Sequence, residues 1–302
     1  MGSVIDEPAG AWTGQTVGQV TSHGAGHGSG GDWLAKWVPG GQTCPDGVSA
    51  KNCIYAKCKA GQRATTEAWE RLVPRALDQG LAWIVPGMPA SYSTGLEAAW
   101  METISAAVPP SGGEHPEDGL LVDISIPLPT PQAPGADLDN LLDPVFSAVI
   151  NRQGWFGGRR SNLRWVAASK LVLDEPGLRL ALLNEAPDLW RDSEVEIAMN
   201  AVYEAEIPTS NTSSDYEEWV SVHAGRPLPP GGVGVALDFS DPGVNLGDIA
   251  TGVVKRVIDG LWPILGGESG APHDGRIAAL RMRKGLTWID GSVAVKVVGL
   301  VR

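Results

Sequence analysis

The chain has 302 residues, of which 43% are hydrophobic, and a formal net charge of −12. This length allows two domains with sizeable apolar cores, and no run of 18 apolar residues predicts a membrane span. The negative charge excludes a protein whose whole surface grips a phosphate backbone, so any nucleic-acid role would depend on local basic patches.

Residues 1–79 are predicted to form an accessory segment that is partly irregular and partly helical. Its first 40 residues are rich in Gly, Ser and Thr, which favours loops. Apolar residues between Thr65 and Leu77 recur at helical spacing, and Pro74 interrupts or ends that helix. The chain starts without the basic and apolar regions of a signal peptide, so we expect a cytoplasmic protein.

Three cysteines, Cys44, Cys53 and Cys58, fall within fifteen residues of this segment. An odd number of cysteines without a secretion signal favours reduced thiols. Together with His23 or His27 they could form a Cys₃His zinc site. The spacing lacks a CxxC pair, and the alternative is a plain loop with free thiols.

The rest of the chain contains the same order of predicted elements twice, in residues 81–183 and 197–300. Each copy begins with an apolar strand that ends in proline, followed by a helix that contains a tryptophan. A Pro/Gly-rich linker then leads to a second strand. The paired segments are 81–89 and 198–208, then 96–100 and 215–219, then 120–126 and 233–239.

A dense acidic motif, Asp137-Leu138-Asp139-Asn140, follows the second strand of the first copy. Leu141, Leu142, Val145, Phe146 and Val149 then form one stripe of a helix. We expect Asp139 or Asn140 to cap this helix. Two carboxylates at i and i+2 on an extended segment lie on one side and could converge on Mg²⁺. The alternative is a solvated helix cap with a spare acid.

The second copy has Asn245-Leu246-Gly247-Asp248 at the position of this motif, again before a helix. Both copies end in two strands. Lys170 and Lys284 each precede by seven residues a glycine, Gly177 or Gly291, in a turn sequence typical of a β-hairpin.

These patterns predict an α+β fold of two fused β-α-β-α-β-β units that form an intramolecular pseudo-dimer. The domains are expected at residues 1–79, 80–190 and 191–302. The alternative is a chance similarity between two ordinary α+β domains.

Basic residues are concentrated at equivalent places in the two copies, while residues 185–218 are strongly acidic. Paired basic strips could contact DNA phosphates without regard to sequence. The alternative for each strip is a solvated strand edge protected by charge. The candidate DNA-binding residues are Arg152, Arg159, Arg160, Arg164 and Lys170 in the first copy and Arg276, Arg281, Arg283 and Lys284 in the second.

From Asp137-Leu138-Asp139-Asn140 to Lys170, the sequence resembles the RusA-like Holliday junction resolvases, small dimeric metal-dependent endonucleases that cut four-way DNA junctions. That family has Asp-x-Asp-Asn at the start of a helix, an Asp-Asp pair about seventeen residues later, and then a strand that ends in lysine. The resemblance covers roughly residues 80–302. It implies Mg²⁺ at Asp137 and Asp139, and a DNA substrate.

The two copies depart from the family pattern in complementary ways. The first has Gly157-Gly158 or Arg159-Arg160 in place of the later acidic pair, and Asp143 in place of a helix lysine. The second has lost the first two acids but has His273-Asp274 at the later position. Asp274 could complete a site with Asp137 and Asp139 only if the halves met there, whereas the resemblance implies sites within each protomer.

Two functions follow as hypotheses. The first is a protein that binds branched or structured DNA, with Mg²⁺-dependent junction endonuclease activity as its enzymatic form. Asp137, Asp139 and Asp143 would then be catalytic, and Asp143 or Asp123 would be the nearest third metal ligand. The second is a catalytically inactive protein of this fold that serves as a protein-binding or assembly module, with residues 185–218 as the partner surface.

Overall fold

The computed structural model describes residues 81–111, 119–126, 137–172, 176–184, 186, 197–209, 212–224, 227–228, 232–285 and 291–300. These residues form a mixed α+β structure built on one large mixed sheet, and the predicted α+β class is therefore confirmed. The predicted accessory segment, with its helix and its cysteines, lies outside the described residues. None of the helices in the described ranges has the length and apolar character needed to cross a membrane.

Eight strands form the main sheet in the order β1-β4-β2-β3-β9-β6-β10-β5, and β7 pairs with β8 in a separate small hairpin. The long strands of each half, counted in sequence, lie in the order first, fourth, second and third from the edge of the sheet to its centre. The strands are β1 (Ala82–Pro86), β2 (Gly119–Ile126), β3 (Trp165–Val172), β4 (Gly177–Leu183), β5 (Ile197–Pro208), β6 (Gly232–Phe239), β7 (Gly267–Glu268), β8 (Ala271–Pro272), β9 (Ile277–Lys284) and β10 (Ser292–Leu300).

The two halves of the sheet join through one antiparallel pair of strands. β3 pairs with β9 from Trp165 opposite Arg283 to Ser169 opposite Ala279. On the outer side of this pair, β2 runs parallel to β3 and β6 runs parallel to β9. The strands in which the two predicted basic strips end, β3 and β9, are more than a hundred residues apart in sequence and pair at the centre of the sheet.

Five helices accompany the sheet in the described residues: α1 (Glu97–Ala107), α2 (Leu138–Phe146), α3 (Ser213–Ala224), α4 (Val253–Gly260) and α5 (Trp262–Leu265). A π-helical turn, Ser147–Arg152, continues α2. Alternate side chains of the central strands face the helices, as the two-residue period of a strand requires. They pack with the predicted apolar stripe of α2, all of which is buried, in one hydrophobic core.

Pro144 lies inside α2 and cannot donate the backbone hydrogen bond that would reach the carbonyl of Asn140. That carbonyl instead accepts a hydrogen bond of 2.8 Å from the backbone N–H of Tyr92, in the connection before α1. The interruption of the helix therefore leaves no unsatisfied acceptor at this carbonyl. The hydrogen bond from Tyr92 also connects the start of α2 to the segment that follows β1.

Two local predictions are corrected. The N-cap of α2 is Asp137, in extended conformation, and Asp139 lies in the first turn instead of capping it. The predicted hairpins are also wrong, because β2 lies between β3 and β4, and β6 lies between β9 and β10. A turn sequence predicts that the chain reverses, but it does not determine whether another strand fills the space between the two arms.

Candidate metal centre

Three aspartates from distant parts of the chain converge beside the centre of the sheet. Asp137 and Asp139 come from the start of α2, and Asp274 begins the short 3₁₀ turn Asp274–Arg276 before β9. One carboxylate oxygen from each lies within 4.8 Å of the others. The condition set by the sequence, that the halves meet at these residues, is therefore fulfilled, and the site draws on both halves of the chain.

The local structure of α2 explains why its two acids reach this point. Asp137 has an extended backbone, and its side chain makes no capping hydrogen bond to the helix backbone. The side-chain amide of Asn140 donates to Asp137 Oδ2 at 3.3 Å. Asp139, one residue into the helix, is only 3% exposed. Its burial places a carboxylate where it needs a positively charged partner.

Lys255, in the first turn of α4, supplies that charge. Its Nζ atom lies 3.0 Å from Asp139 Oδ2, 3.0 Å from Asp274 Oδ2 and 3.0 Å from Asp259 Oδ1. The contact with Asp274 is also a hydrogen bond, and the contact with Asp139 joins the ammonium to a carboxylate that is almost fully buried. One ammonium therefore contacts three carboxylates and offsets only part of their negative charge.

The protonation of the cluster reflects this crowding of acids. Burial, and then the carboxylates of Asp274 and Asp139, raise the pKa of Asp137 to about 7, against the opposing effect of Lys170. Burial also raises the pKa of Asp139, although Lys255 works in the other direction. The pKa of Lys255 is raised because its attraction to Asp139 and Asp274 outweighs its desolvation. Lys255 therefore stays charged at neutral pH, while Asp137 exchanges its proton there.

Lys170 closes the other side of the cluster. This residue, predicted as a DNA contact, is 3% exposed and donates a hydrogen bond of 3.0 Å to the backbone carbonyl of Gly275. It therefore links β3 to the turn that carries Asp274. Its charge lowers the pKa of Asp137, so a second ammonium group offsets part of the negative charge of the cluster.

The donor set suits a hard divalent cation. All three groups are carboxylates, as Mg²⁺ and Mn²⁺ prefer, and none is the thiolate or imidazole typical of zinc sites. One oxygen of each carboxylate lies within 4.8 Å of the others, close enough for all three to contact one ion. The residues present therefore fit the metal that the sequence predicted, and Asp274 would be the third ligand.

The two other candidates for a third ligand lie elsewhere. Asp143 pairs with Arg160, whose Nη1 is 2.6 Å from Asp143 Oδ1. Asp123 is buried in the sheet, where Arg179 Nη2 donates to its Oδ2 and Ser169 Oγ to its Oδ1, both at 2.6 Å. Neither acid belongs to the group of three that converges on one point.

The nine candidate DNA-binding residues differ widely in exposure. Arg152, Arg159 and Arg164 are exposed. Arg276 and Arg281 are buried; Arg276 donates to the carbonyl of Leu265, and Arg281 pairs with Asp238 at 3.3 Å. The remaining four are buried or half-buried and engaged within the fold: Arg160 with Asp143, Lys170 with Gly275, Arg283 with Asp238 at 2.6 Å, and Lys284 with the carbonyls of Ser161 and Val244.

Sequence reasoning missed Lys255 and Asp259. Their i, i+4 spacing on α4 predicts only an ordinary helix-surface ion pair. The position of Lys255 beside Asp139 depends on the contact between the two halves of the chain, which no local pattern encodes. The zinc candidates Cys44, Cys53 and Cys58 lie outside the described residues.

Comparison of the sequence with protein-family models and with curated proteins, and of the structure with solved structures, gives no match.

Proposed function

We propose that this protein is a tandem RusA-like protein that binds branched or structured DNA and hydrolyses one phosphodiester bond at the Asp137–Asp139–Asp274 cluster. The observation that carries the proposal is the convergence of these three carboxylates within 4.8 Å. The resemblance supplied the first two acids, and the third comes from the position where the family has its later acidic pair.

We also propose that the fold is a covalent pseudo-dimer. The same strand order from each edge to the centre supports this interpretation. So does the antiparallel β3–β9 junction, because an antiparallel pair of equivalent strands is compatible with a twofold axis perpendicular to the sheet. A carboxylate on the second strand of each half, Asp123 or Asp238, pairs with arginine in both.

Asp137, Asp139 and Asp274 would hold Mg²⁺ or Mn²⁺. When bound, the cation would lower the pKa of a water molecule and stabilise charge on the phosphate oxygens. The chain itself would contribute in other ways. Asp137 would give up its proton when it binds the cation, and Lys255 would offer an ammonium group to the developing negative charge.

Double substitution of Asp137 and Asp139 by asparagine tests the enzymatic part of the proposal. We expect loss of Mg²⁺-dependent cleavage of a synthetic four-way junction, with binding of the junction in a gel-shift titration unchanged. Asp143→Asn serves as a matched control within the same helix and should retain cleavage provided that the protein stays folded. Wild-type protein that cleaves no junction at any Mg²⁺ or Mn²⁺ concentration would rule out the enzyme.

The burial of several basic residues favours a second candidate, an assembly module without DNA binding. Only Arg152, Arg159 and Arg164 of the nine candidates are exposed, and the net charge is −12. A gel shift against junction, duplex and single-stranded DNA at low salt separates the two functions, because phosphate contacts are strongest there. Absence of any shift under these conditions would favour the assembly module.

A further inference from the structure

The position in the second half that corresponds to the acidic cluster is built from different residues. When the two copies are aligned, Asn245 takes the position of Asp137, and Gly247 takes the position of Asp139. Arg160, before β3, stands for Asp274, before β9. These replacements also lie together, because Arg160 Nη1 donates a hydrogen bond of 2.8 Å to the carbonyl of Gly247.

The correspondence extends to the lysine. Lys255 lies eight residues after Gly247, and Ser147 lies eight residues after Asp139. Just as Lys255 binds Asp274 on one side, Ser147 Oγ accepts a hydrogen bond from Arg160 on the other. The two arrangements thus use residues at corresponding positions of the two copies. On one side these are Asp139, Lys255 and Asp274, and on the other they are Gly247, Ser147 and Arg160.

Three features prevent the second position from holding a cation. It has lost all three carboxylates of the first, and the Arg160 guanidinium already brings a positive charge, which Asp143 neutralises at 2.6 Å. Space is lacking as well. A Cβ atom on Gly247 would lie 2.6 Å from the Cβ of Arg160, so an acid cannot be placed there while the Arg160 backbone keeps its position.

We infer that, within the residues that the structure describes, the two halves share one metal-dependent centre, and that the protein therefore nicks a single strand in each binding event instead of cutting two strands symmetrically. This inference rests on the proposed function. In the reaction, the oxygen of one water molecule bonds to phosphorus, and the bond from phosphorus to one sugar oxygen breaks. One proton of the water ends on the released sugar oxygen and the other is lost to solvent or to a carboxylate.

Metal binding provides a test that does not depend on activity. Mn²⁺ is titrated into the wild-type protein of 302 residues and into Asp139→Asn, with binding followed by calorimetry and by the loss of the free Mn²⁺ signal in electron paramagnetic resonance. We expect Asp139→Asn to lose all of the specific binding. The matched change at the other position, Asn245→Ala, should keep wild-type stoichiometry. Binding of wild-type affinity that survives Asp139→Asn and disappears in Asn245→Ala would overturn the inference.

The cutting pattern is tested on a supercoiled plasmid that extrudes a cruciform. One cut yields a nicked circle, whereas two cuts within one binding event yield a linear molecule. We expect nicked circles first, linear molecules only after a lag, and loss of both products in Asp139→Asn. Linear product without a nicked intermediate would overturn the single-centre inference while supporting the proposed nuclease. No product from wild-type protein together with no Mn²⁺ binding would reject the proposed function itself.

Discussion

At the scale of single residues, the candidate centre is defined by an excess of acids around two lysines, Lys255 and Lys170. Asp139 is almost fully buried, and its Oδ2 atom forms an ion pair with Lys255. Asp137 is held at a pKa of about 7 by burial and by two neighbouring carboxylates. Such a cluster stores repulsion that a divalent cation relieves, because the cation replaces protons as the neutralising charge.

The pKa of Asp137 predicts how metal binding depends on pH. A proton competes with the cation for this carboxylate below about pH 7, so Mn²⁺ affinity should fall by up to about tenfold for each pH unit below that value. Calorimetric titrations between pH 5.5 and 8.5 measure this slope. Asp137→Asn should bind more weakly and lose the dependence near pH 7, and an equal slope in both proteins would contradict the assignment.

The same raised pKa makes the stability of the folded protein depend on pH. The folded protein keeps the Asp137 proton up to about pH 7, whereas the unfolded chain releases it near the ordinary value of 3.8. The folded state therefore binds more protons between these values, and this residue's contribution to the free energy of unfolding falls as pH rises through the window. Asp137→Asn should show a smaller loss of stability across it in urea unfolding without metal.

Lys255 gives a second prediction at this scale. Lys255→Met leaves Asp139 and Asp274 without their shared cation, and removing one partner of a buried pair costs about 3–5 kcal/mol of unfolding free energy. Because the Lys255 side chain is 21% exposed, the lower end of that range is expected. Lys255→Arg keeps the charge and serves as the control. Added Mn²⁺ should stabilise the Met variant more than the wild type in thermal unfolding, and equal shifts would contradict this role.

At the scale of elements, helix packing depends on close approach as well as on apolar stripes. Gly260 ends α4 against α3, where a Cβ atom would overlap the Cβ of Tyr216. Tyr216 is fully buried, so it has no free space into which it can move. The contact explains why a glycine, a poor helix former, occupies the last turn of a helix.

Gly260→Ala should therefore destabilise the protein by about 1–3 kcal/mol, the usual cost of overpacking. Gly95→Ala is the matched control, since a Cβ there meets no atom within 4 Å and the change should be close to neutral. Chemical denaturation of both variants measures the difference. If the two variants were equally stable, α3 and α4 would not be in the close contact described above.

At the scale of the whole molecule, the candidate centre depends on the junction between the halves. The sheet is continuous through β3 and β9, and this junction brings α2 of the first half beside α4 and the Asp274 turn of the second. A function at the cluster is therefore a property of the joined chain. The other equivalent position is filled by Arg160, which makes the two sides of the molecule chemically different.

This composite construction predicts that acids from both halves matter equally. Asp274→Asn should weaken Mn²⁺ binding to a similar extent as Asp139→Asn, by at least about tenfold, the scale on which even outer partners of a metal act. Asp259→Asn, which changes a carboxylate that contacts Lys255 but does not belong to the group of three, is the control and should have a smaller effect. Unchanged binding in Asp274→Asn would mean that the centre lies within the first half alone.

The sequence by itself determined the α+β class, most strands and helices, and the first two acids of the candidate centre, because hydrophobic periodicity and short-range acid spacing are local properties of the chain. Only the tertiary structure decided that β2 separates β3 from β4, that Asp274 joins Asp137 and Asp139, and that Lys255 lies among them. These results depend on strand order and on contacts between residues more than a hundred positions apart. The packing of the whole core determines such contacts, and no local spacing records them.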